Sequence, residues 1–362
     1  MAGTSEVERR SDPVQNDSYV IPRKRSLIRP RVIDLFSGAG GMTLGFEGEG
    51  FESVFAVEIE AAACKTYAAN FGCYVYHGPI EDLDDFPDAD VIIGGPPCQG
   101  FSPLGRDRDH SSRSEMNALW EHYIRAVRSV RPKAFVIENV PEFLKSAQFA
   151  SFEEFAGRDP ILRQYSFKTA VLNAADYGVP QRRRRGFVFA SRVGEPHFPT
   201  KTHGPETDPP RAPATVRDAI HDLPLEPDGR NWHIGRNPHA TSIDRYRAVP
   251  EGGNRFDLAR NRPDLLPACW RNKPTGTTDV FGRLWWNRPA LTIRTEFFKP
   301  EKGRYLHPEA DRPITHREAA RLQTFPDDFI FEGSKIEVAR QIGNAVPPIL
   351  AAAIAREVAA VL

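Results

Sequence analysis

Short apolar runs, each meeting a turn dense in glycine, proline or charge, constrain this chain more than any other feature. Val32-Ile33-Asp34-Leu35-Phe36 leads straight into Ser37-Gly38-Ala39-Gly40-Gly41-Met42 and a helical stretch to about Gly48. Ser53–Val57 ends in Glu58, and Ala134–Ile137 ends in Glu138-Asn139. Val91-Ile92-Ile93 ends in Gly94-Gly95-Pro96-Pro97-Cys98-Gln99-Gly100-Phe101-Ser102, and Gly186–Ala190 follows Gln181 and four consecutive arginines. Apolar runs of this length bounded by turn signals fit strands buried on both faces. Strand, tight turn and helix in succession predict an open α/β sheet that collects its ligands at the carboxyl edge.

Several residues placed at that edge carry chemistry. Two glycines and two prolines stiffen the turn before Cys98, because glycine permits close approach and proline locks φ; the turn presents the cysteine as a candidate nucleophile. Glu138 ends another strand on the same rim. The glycine turn at 38–41 lets a cofactor lie against bare backbone at a helix N-terminus. A G-x-G-x-x-G fingerprint needs glycine at 43, where Thr43 stands, which disfavours a nicotinamide dinucleotide and an oxidoreductase. Glu58 is positioned to accept ribose hydroxyls. In the extended stretch before Gly186, Gln181, Arg183 and Arg185 share one face and Arg182 and Arg184 the other. The four arginines also suit a phosphate patch.

The chain has 362 residues, enough for a large domain and a smaller one, and a formal charge of zero. Any nucleic-acid surface therefore depends on local segregation of cations. One such region lies between Arg230 and Arg262, where seven arginines face three acids and Trp232, His233, His239 and Tyr246 are interleaved with them. That mixture suits phosphates and base edges. The four cysteines, at 64, 73, 98 and 269, form no C-x-x-C pair, so no metal site and no disulfide framework is expected. No apolar run approaches the ~20 residues of a membrane span, and a soluble cytoplasmic protein is expected. Residues 1–30 read as a disordered basic arm. Residues 106–117 read as a mobile loop able to close over a substrate, followed by a helix with Leu119, Tyr123, Val127 and Val130 on one face.

The Pro-Pro-Cys-Gln turn resembles the catalytic motif of the DNA (cytosine-5)-methyltransferases, and five further segments occur in that family's order. They are Asp34–Gly41 with Val57-Glu58, Glu138-Asn139-Val140, Gln181-x-Arg183-x-Arg185, the stretch Arg283–Arg294 with the segments up to Pro326, and Gln341–Pro348. The resemblance covers about 31–190 and 283–362. It implies a Rossmann-like S-adenosylmethionine-dependent fold with a mostly parallel sheet and a smaller, irregular target-recognition domain. The catalytic and cofactor domain would take 31–190 plus 333–362, and the small domain 191–332, with target recognition mainly in 191–282.

On the same resemblance Cys98 attacks carbon 6 of a flipped cytosine, and a protonated Glu138 donates to ring nitrogen 3. Arg185 binds the base's carbonyl oxygen, and Arg183 orients the carboxylate or a phosphate. S-adenosylmethionine would be held by Phe36, Gly38, Ala39, Gly40, Gly41, Glu58, Ile59, Ile80, Pro97, Asn344 and Val346. DNA would be met by Gln99, Ser102, Asn139, Gln181 and Thr292. One departure stands out: Gly78-Pro79-Ile80 replaces the family's Gly-Asp-Ile, removing the side chain that accepts from the adenine amino group. The expected partners are double-stranded DNA in the nucleoid and a separately encoded cognate restriction endonuclease, with the enzyme itself a monomer. A tRNA cytosine-5 methyltransferase and a non-catalytic DNA-binding homologue are the alternatives; the long segment before 283 favours DNA, and the joint presence of Cys98, Glu138 and Arg185 favours catalysis.

Overall fold

The computed structural model describes residues 29–72, 75–97, 110–271 and 278–362, with the backbone alone for 110–118. The basic arm up to residue 28, the turn residues Cys98, Gln99 and Ser102, and the loop residues 106–109 lie outside the described residues.

The apolar runs become strands. In chain order these are β1 (Arg31–Leu35), β2 (Glu52–Glu58), β3 (Val75–His77), β4 (Val91–Gly94), β5 (Ala134–Asn139), β6 (Ser166–Asn173) and β7 (Arg184–Ser191). They form a sheet in the order β3-β2-β1-β4-β5-β7-β6. The β1–β5 pairings are parallel, whereas β7 runs antiparallel to both β5 and β6. The strand order reverses between β1 and β4, which makes the carboxyl ends of those strands the switch point where ligands bind in such folds.

Alternation along each strand divides the core into two layers. Val32, Val91, Ile93, Val136, Phe187 and Phe189 face one side, and Ile33, Ile92, Phe135, Ile137 and Val188 the other. Helix α1 (Gly41–Gly48) and the last helix, α11 (Pro348–Val361), cover the first face through Phe46, Leu350, Ile354 and Val358. Helix α3 (His110–Val130) and α4 (Ala147–Arg158) cover the second through Tyr123, Val127, Phe149 and Phe152. Because α3 starts at His110, the loop expected over 106–117 is helical from His110 onward.

The expected irregular region contains short helices: α5 (Val216–Ile220), α6 (Ala240–Arg247), α7 (Arg255–Asn261) and α8 (Ala268–Arg271). After them β8 (Gly282–Arg283) pairs with β9 (Arg304–Leu306), and α9 (His316–Leu322) follows a Thr315/Glu318 capping box. The aromatic and histidine residues expected to meet nucleic acid here are mostly core: His233 and Tyr246 are buried, and the Trp232 indole donates to Phe331 O at 3.0 Å. Helix α10 (Lys335–Asn344) packs on α9 and on α2 (Ala61–Phe71), and its Val338, Ala339 and Ile342 join the small-domain cluster. After α10, the chain joins the first core layer at Val346.

Lys335–Val361 is apolar and long enough, by composition, to compare with a membrane span, but α10 and α11 are separate helices around Pro347 and over half of the most apolar window is buried. The closest approach of α11 is to α1 at Gly45, where an added Cβ would lie 2.5 Å from Ala351 Cβ and 2.6 Å from both Ala352 N and Pro348 O. Backbone cannot give way as a side-chain tip can. Gly45→Val is expected to cost about 3 kcal/mol, the upper range for overpacking a core, read as a lowered chemical-denaturation midpoint.

Candidate active site

The glycine turn after β1 is held from below by a buried polar chain. Thr43 Oγ1 donates to Asp34 Oδ2 at 2.6 Å and lies 3.1 Å from the Tyr67 hydroxyl, which in turn lies 2.7 Å from Ser53 Oγ. Thr43, which counted only against a dinucleotide site in the sequence, thus ties α1 to β1 through Asp34. Burial raises the Asp34 carboxyl to about 7, with Glu58 pushing the same way and the Thr43 bond opposing.

Glu58 sits at the end of β2 with its carboxylate already occupied on three sides. Oε2 accepts from Gly38 N at 2.7 Å, and Oε1 accepts from Ile59 N at 2.9 Å and Glu60 N at 2.8 Å. A carboxylate has about four acceptor positions, so capacity remains on the Gly38 side for a ribose hydroxyl. Burial raises the Glu58 pKa above its ordinary value, with the backbone donors opposing.

The residues above the turn fit an adenosyl cofactor. Phe36 and Gly38 have φ of 60° and 55°, and nothing lies within 4 Å of where a Gly38 Cβ would be. The buried Ser37 hydroxyl has no partner among the described residues, and Ile59 is 63% exposed beside Glu58. Open backbone, a free hydroxyl, an acidic acceptor and an exposed aliphatic side chain converge here. Gly41 closes the far wall, packed so tightly on Val346 O that a side chain is excluded, and Asn344 is exposed next to it. Ala39 and Gly40 are buried in the turn. Ile80 is different from expectation: it is 2% exposed and packed in the second core layer, because Arg125 pulls its loop inward by donating to Ile80 O at 2.6 Å and to Leu83 O. Pro79 opens that short turn, with Glu81 and Asp82 exposed after it.

On the rim, Arg185 Nε meets Glu138 Oε1 at 2.8 Å, joining two residues expected to act on one base. Arg185 Nη1 donates to Arg184 O at 2.8 Å, and Nη2 has no protein partner among the described residues. The other carboxylate oxygen, Oε2, lies over Gly95, where a Cβ would come within 2.8 Å of it. The glycine of the cysteine turn therefore makes room for the carboxyl. Pro97 is exposed just before the cysteine.

Three expected contacts are corrected, and Thr292 is braced within the protein. Asn139 donates to Pro96 O at 3.2 Å and accepts from Val140 N at 2.7 Å, so it clamps the cysteine turn rather than reaching DNA. Gln181 is fully buried, donating to Leu322 O and Gln323 Oε1 and accepting from Ile293 N at 2.8 Å. Arg183, also fully buried, donates to Ile293 O, Gly343 O and Asn344 O at 3.0–3.2 Å, and orients neither a carboxylate nor a phosphate. Burial is the main reason its pKa falls well below the usual value, with Arg185 adding to the fall and Glu138 opposing it. Thr292 Oγ1 donates to Arg182 O at 2.9 Å. Gln181, Arg183 and Thr292 bind the sheet to the small domain, and single-sequence patterning had no means of showing where that domain would dock.

The family of C-5 cytosine-specific DNA methylases matches residues 30–360. The Type II methyltransferase M1.HphI of Haemophilus parahaemolyticus is 37% identical over 341 residues, covering 90% of this chain and 86% of that protein. M.NgoFVII of Neisseria gonorrhoeae is 33% identical, with 88% and 84% covered. A solved putative DNA modification methyltransferase from an E. coli prophage superposes with a TM-score of 0.67 at 27% identity, covering 92% of this chain and 99% of that one.

Two measurements test this geometry. Gly95→Ala should displace the Glu138 carboxyl and lower kcat by about 10²-fold with little change in thermal midpoint, since a 1 Å misplacement has that effect. Asp34 binds its proton more tightly folded than unfolded, so its contribution to stability falls as pH rises from about 4 to about 7. Denaturation of Asp34→Asn across that range should show the decline removed.

Proposed function

The chain belongs to the C-5 cytosine-specific DNA methylases, transferring methyl from S-adenosylmethionine to cytosine in DNA, and from that premise we propose the roles its residues take. S-adenosylmethionine, when bound, supplies the methyl group; Phe36, Gly38, Glu58, Ile59 and Asn344 hold it above the glycine turn. The observation that carries the assignment is the Arg185–Glu138 pair at 2.8 Å, with Oε2 of the carboxyl over Gly95.

A cytosine ring seated there meets both members of the pair. Glu138 engages ring nitrogen 3 through Oε2, drawing electron density from the carbon 5–carbon 6 bond. Arg185 keeps Nη2 for the base's carbonyl oxygen while its Nε fixes the carboxyl. Cys98, two residues beyond the Pro96 carbonyl that Asn139 clamps, forms the Sγ–carbon 6 bond as a thiolate. With the methyl donor bound, carbon 5 would take the methyl group, the carbon-5 proton would pass to solvent water, and the Sγ–carbon 6 bond would break to release the base and the thiolate. The target atom is stacked inside a duplex, so the cytosine is first flipped out, at a cost of a few kcal/mol.

The small domain, chiefly 191–282, supplies target recognition. Because Trp232, His233 and Tyr246 are structural, recognition falls to exposed groups there, such as Arg236 and His239. We propose further that the enzyme acts as a monomer on nucleoid DNA in the cytoplasm and is paired with a separately encoded restriction endonuclease, a reading that the relatives' Type II names support.

Cys98→Ala is expected to abolish both methyl transfer and covalent trapping on 5-fluorocytosine DNA. Glu138→Gln should lower kcat by about 10²–10⁴-fold with cofactor affinity retained, as measured by single-turnover kinetics and calorimetry. Bisulfite sequencing of DNA from expressing cells should show one methylated word; wild-type turnover in either variant, or transfer to tRNA in preference to duplex DNA, would remove the assignment.

A further inference from the structure

Two of the four consecutive arginines have no part in the site above. The stretch entering β7 meets the small domain through a single parallel bridge, Gln181 to Ala290. Gln181 and Arg183 turn inward and are fully buried, which forces Arg182 and Arg184 to the opposite, exposed side. The backbone beneath Arg182 is fixed twice: its N–H donates to Ala290 O at 2.8 Å, and its carbonyl accepts from Thr292 Oγ1 at 2.9 Å. Arg184 is the first residue of β7, paired with Asn173 of β6. Neither guanidinium meets a carboxylate among the described residues, although the chain carries equal numbers of acids and bases and arginines such as Arg247, Arg262, Arg312 and Arg321 are paired.

Two cations with no carboxylate partner among the described residues therefore stand on rigid backbone at the joint between sheet and small domain, Arg184 adjacent to Arg185 and Arg182 three residues before it, and Arg185 holds the catalytic carboxyl. Alternate residues of extended chain are about 6.6 Å apart, so the two side chains can reach separate phosphates. We propose that Arg182 and Arg184 form a sequence-independent clamp on the DNA backbone, seating the duplex at the domain joint beside the flipped base. The clamp deepens the DNA-methylase assignment and rests on it.

Counterion release gives a readout that a structural role would not move. Each phosphate contact contributes about 0.9 to the slope of log K against log salt concentration. Duplex affinity of the full-length protein is to be titrated over a range of salt for wild type, Arg182→Gln/Arg184→Gln and Arg182→Lys/Arg184→Lys. The glutamine pair is expected to flatten the slope by about 1.8, equally on target-containing and scrambled duplexes, and the lysine pair to keep it. If the glutamine pair fails to fold, each single glutamine variant should flatten the slope by about 0.9. An unchanged slope, or a loss confined to the target duplex, overturns the clamp while leaving the enzyme assignment intact; a wild-type protein that binds no duplex overturns that assignment instead.

Discussion

The buried guanidinium of Arg183 is the interaction on which the rest of the architecture depends. It ties three carbonyls that belong to different parts of the fold: Ile293 in the small domain, and Gly343 and Asn344 at the end of α10. Beside it, Gln181 reaches Gln323 and Ile293. A buried carbonyl left without a donor costs about 1–3 kcal/mol, so these bonds hold one relative placement of sheet, small domain and closing helices against alternatives. Since Asn344 borders the cofactor turn and Arg185 is two residues from Arg183, the same staple registers the cofactor side of the site against the base side.

Around that joint, the site is assembled from the ends of strands that are themselves rigid. Glu58 braces Gly38, Asn139 braces Pro96, and Arg185 braces Glu138. Each pairing fixes a main chain or a side chain through a second group, which is how orientation within a fraction of an ångström is kept on a loop-rich edge. Below the glycine turn, Asp34, Thr43, Tyr67 and Ser53 form a closed polar chain inside apolar surroundings. Such networks specify one arrangement only when every member is satisfied. The raised Asp34 pKa shows that the specification is bought with some stability near neutral pH.

Much of the sheet was legible in advance because buried strands and glycine turns are local signals. The runs at 32–36, 53–57, 91–93, 134–137 and 186–190 all lie in strands or at their ends, and the helix after 348 matches its alanine-rich apolar stretch. The motif residues at strand ends converge on one edge because parallel strands all finish there. What failed was the assignment of partners. Gln181, Arg183 and Asn139 are polar residues in a recognisable motif, yet each is consumed by partners more than 40 residues away or by its own turn. Trp232, His233 and Tyr246 have the composition of a nucleic-acid surface and the burial of a core.

The sequence by itself determined the strand periodicity, the carboxyl-edge turns and the residue types for thiol chemistry, all of which depend on neighbours within a few positions. Only the tertiary structure decided which arginines are buried and which are exposed. Alternation puts 181, 183 and 185 on one face and 182 and 184 on the other, but it does not say which face meets protein. The bridge of Gln181 to Ala290 and the bonds of Gln181 and Arg183 to Ile293 settle it by burying one face, while Arg182 and Arg184 stay exposed on the other.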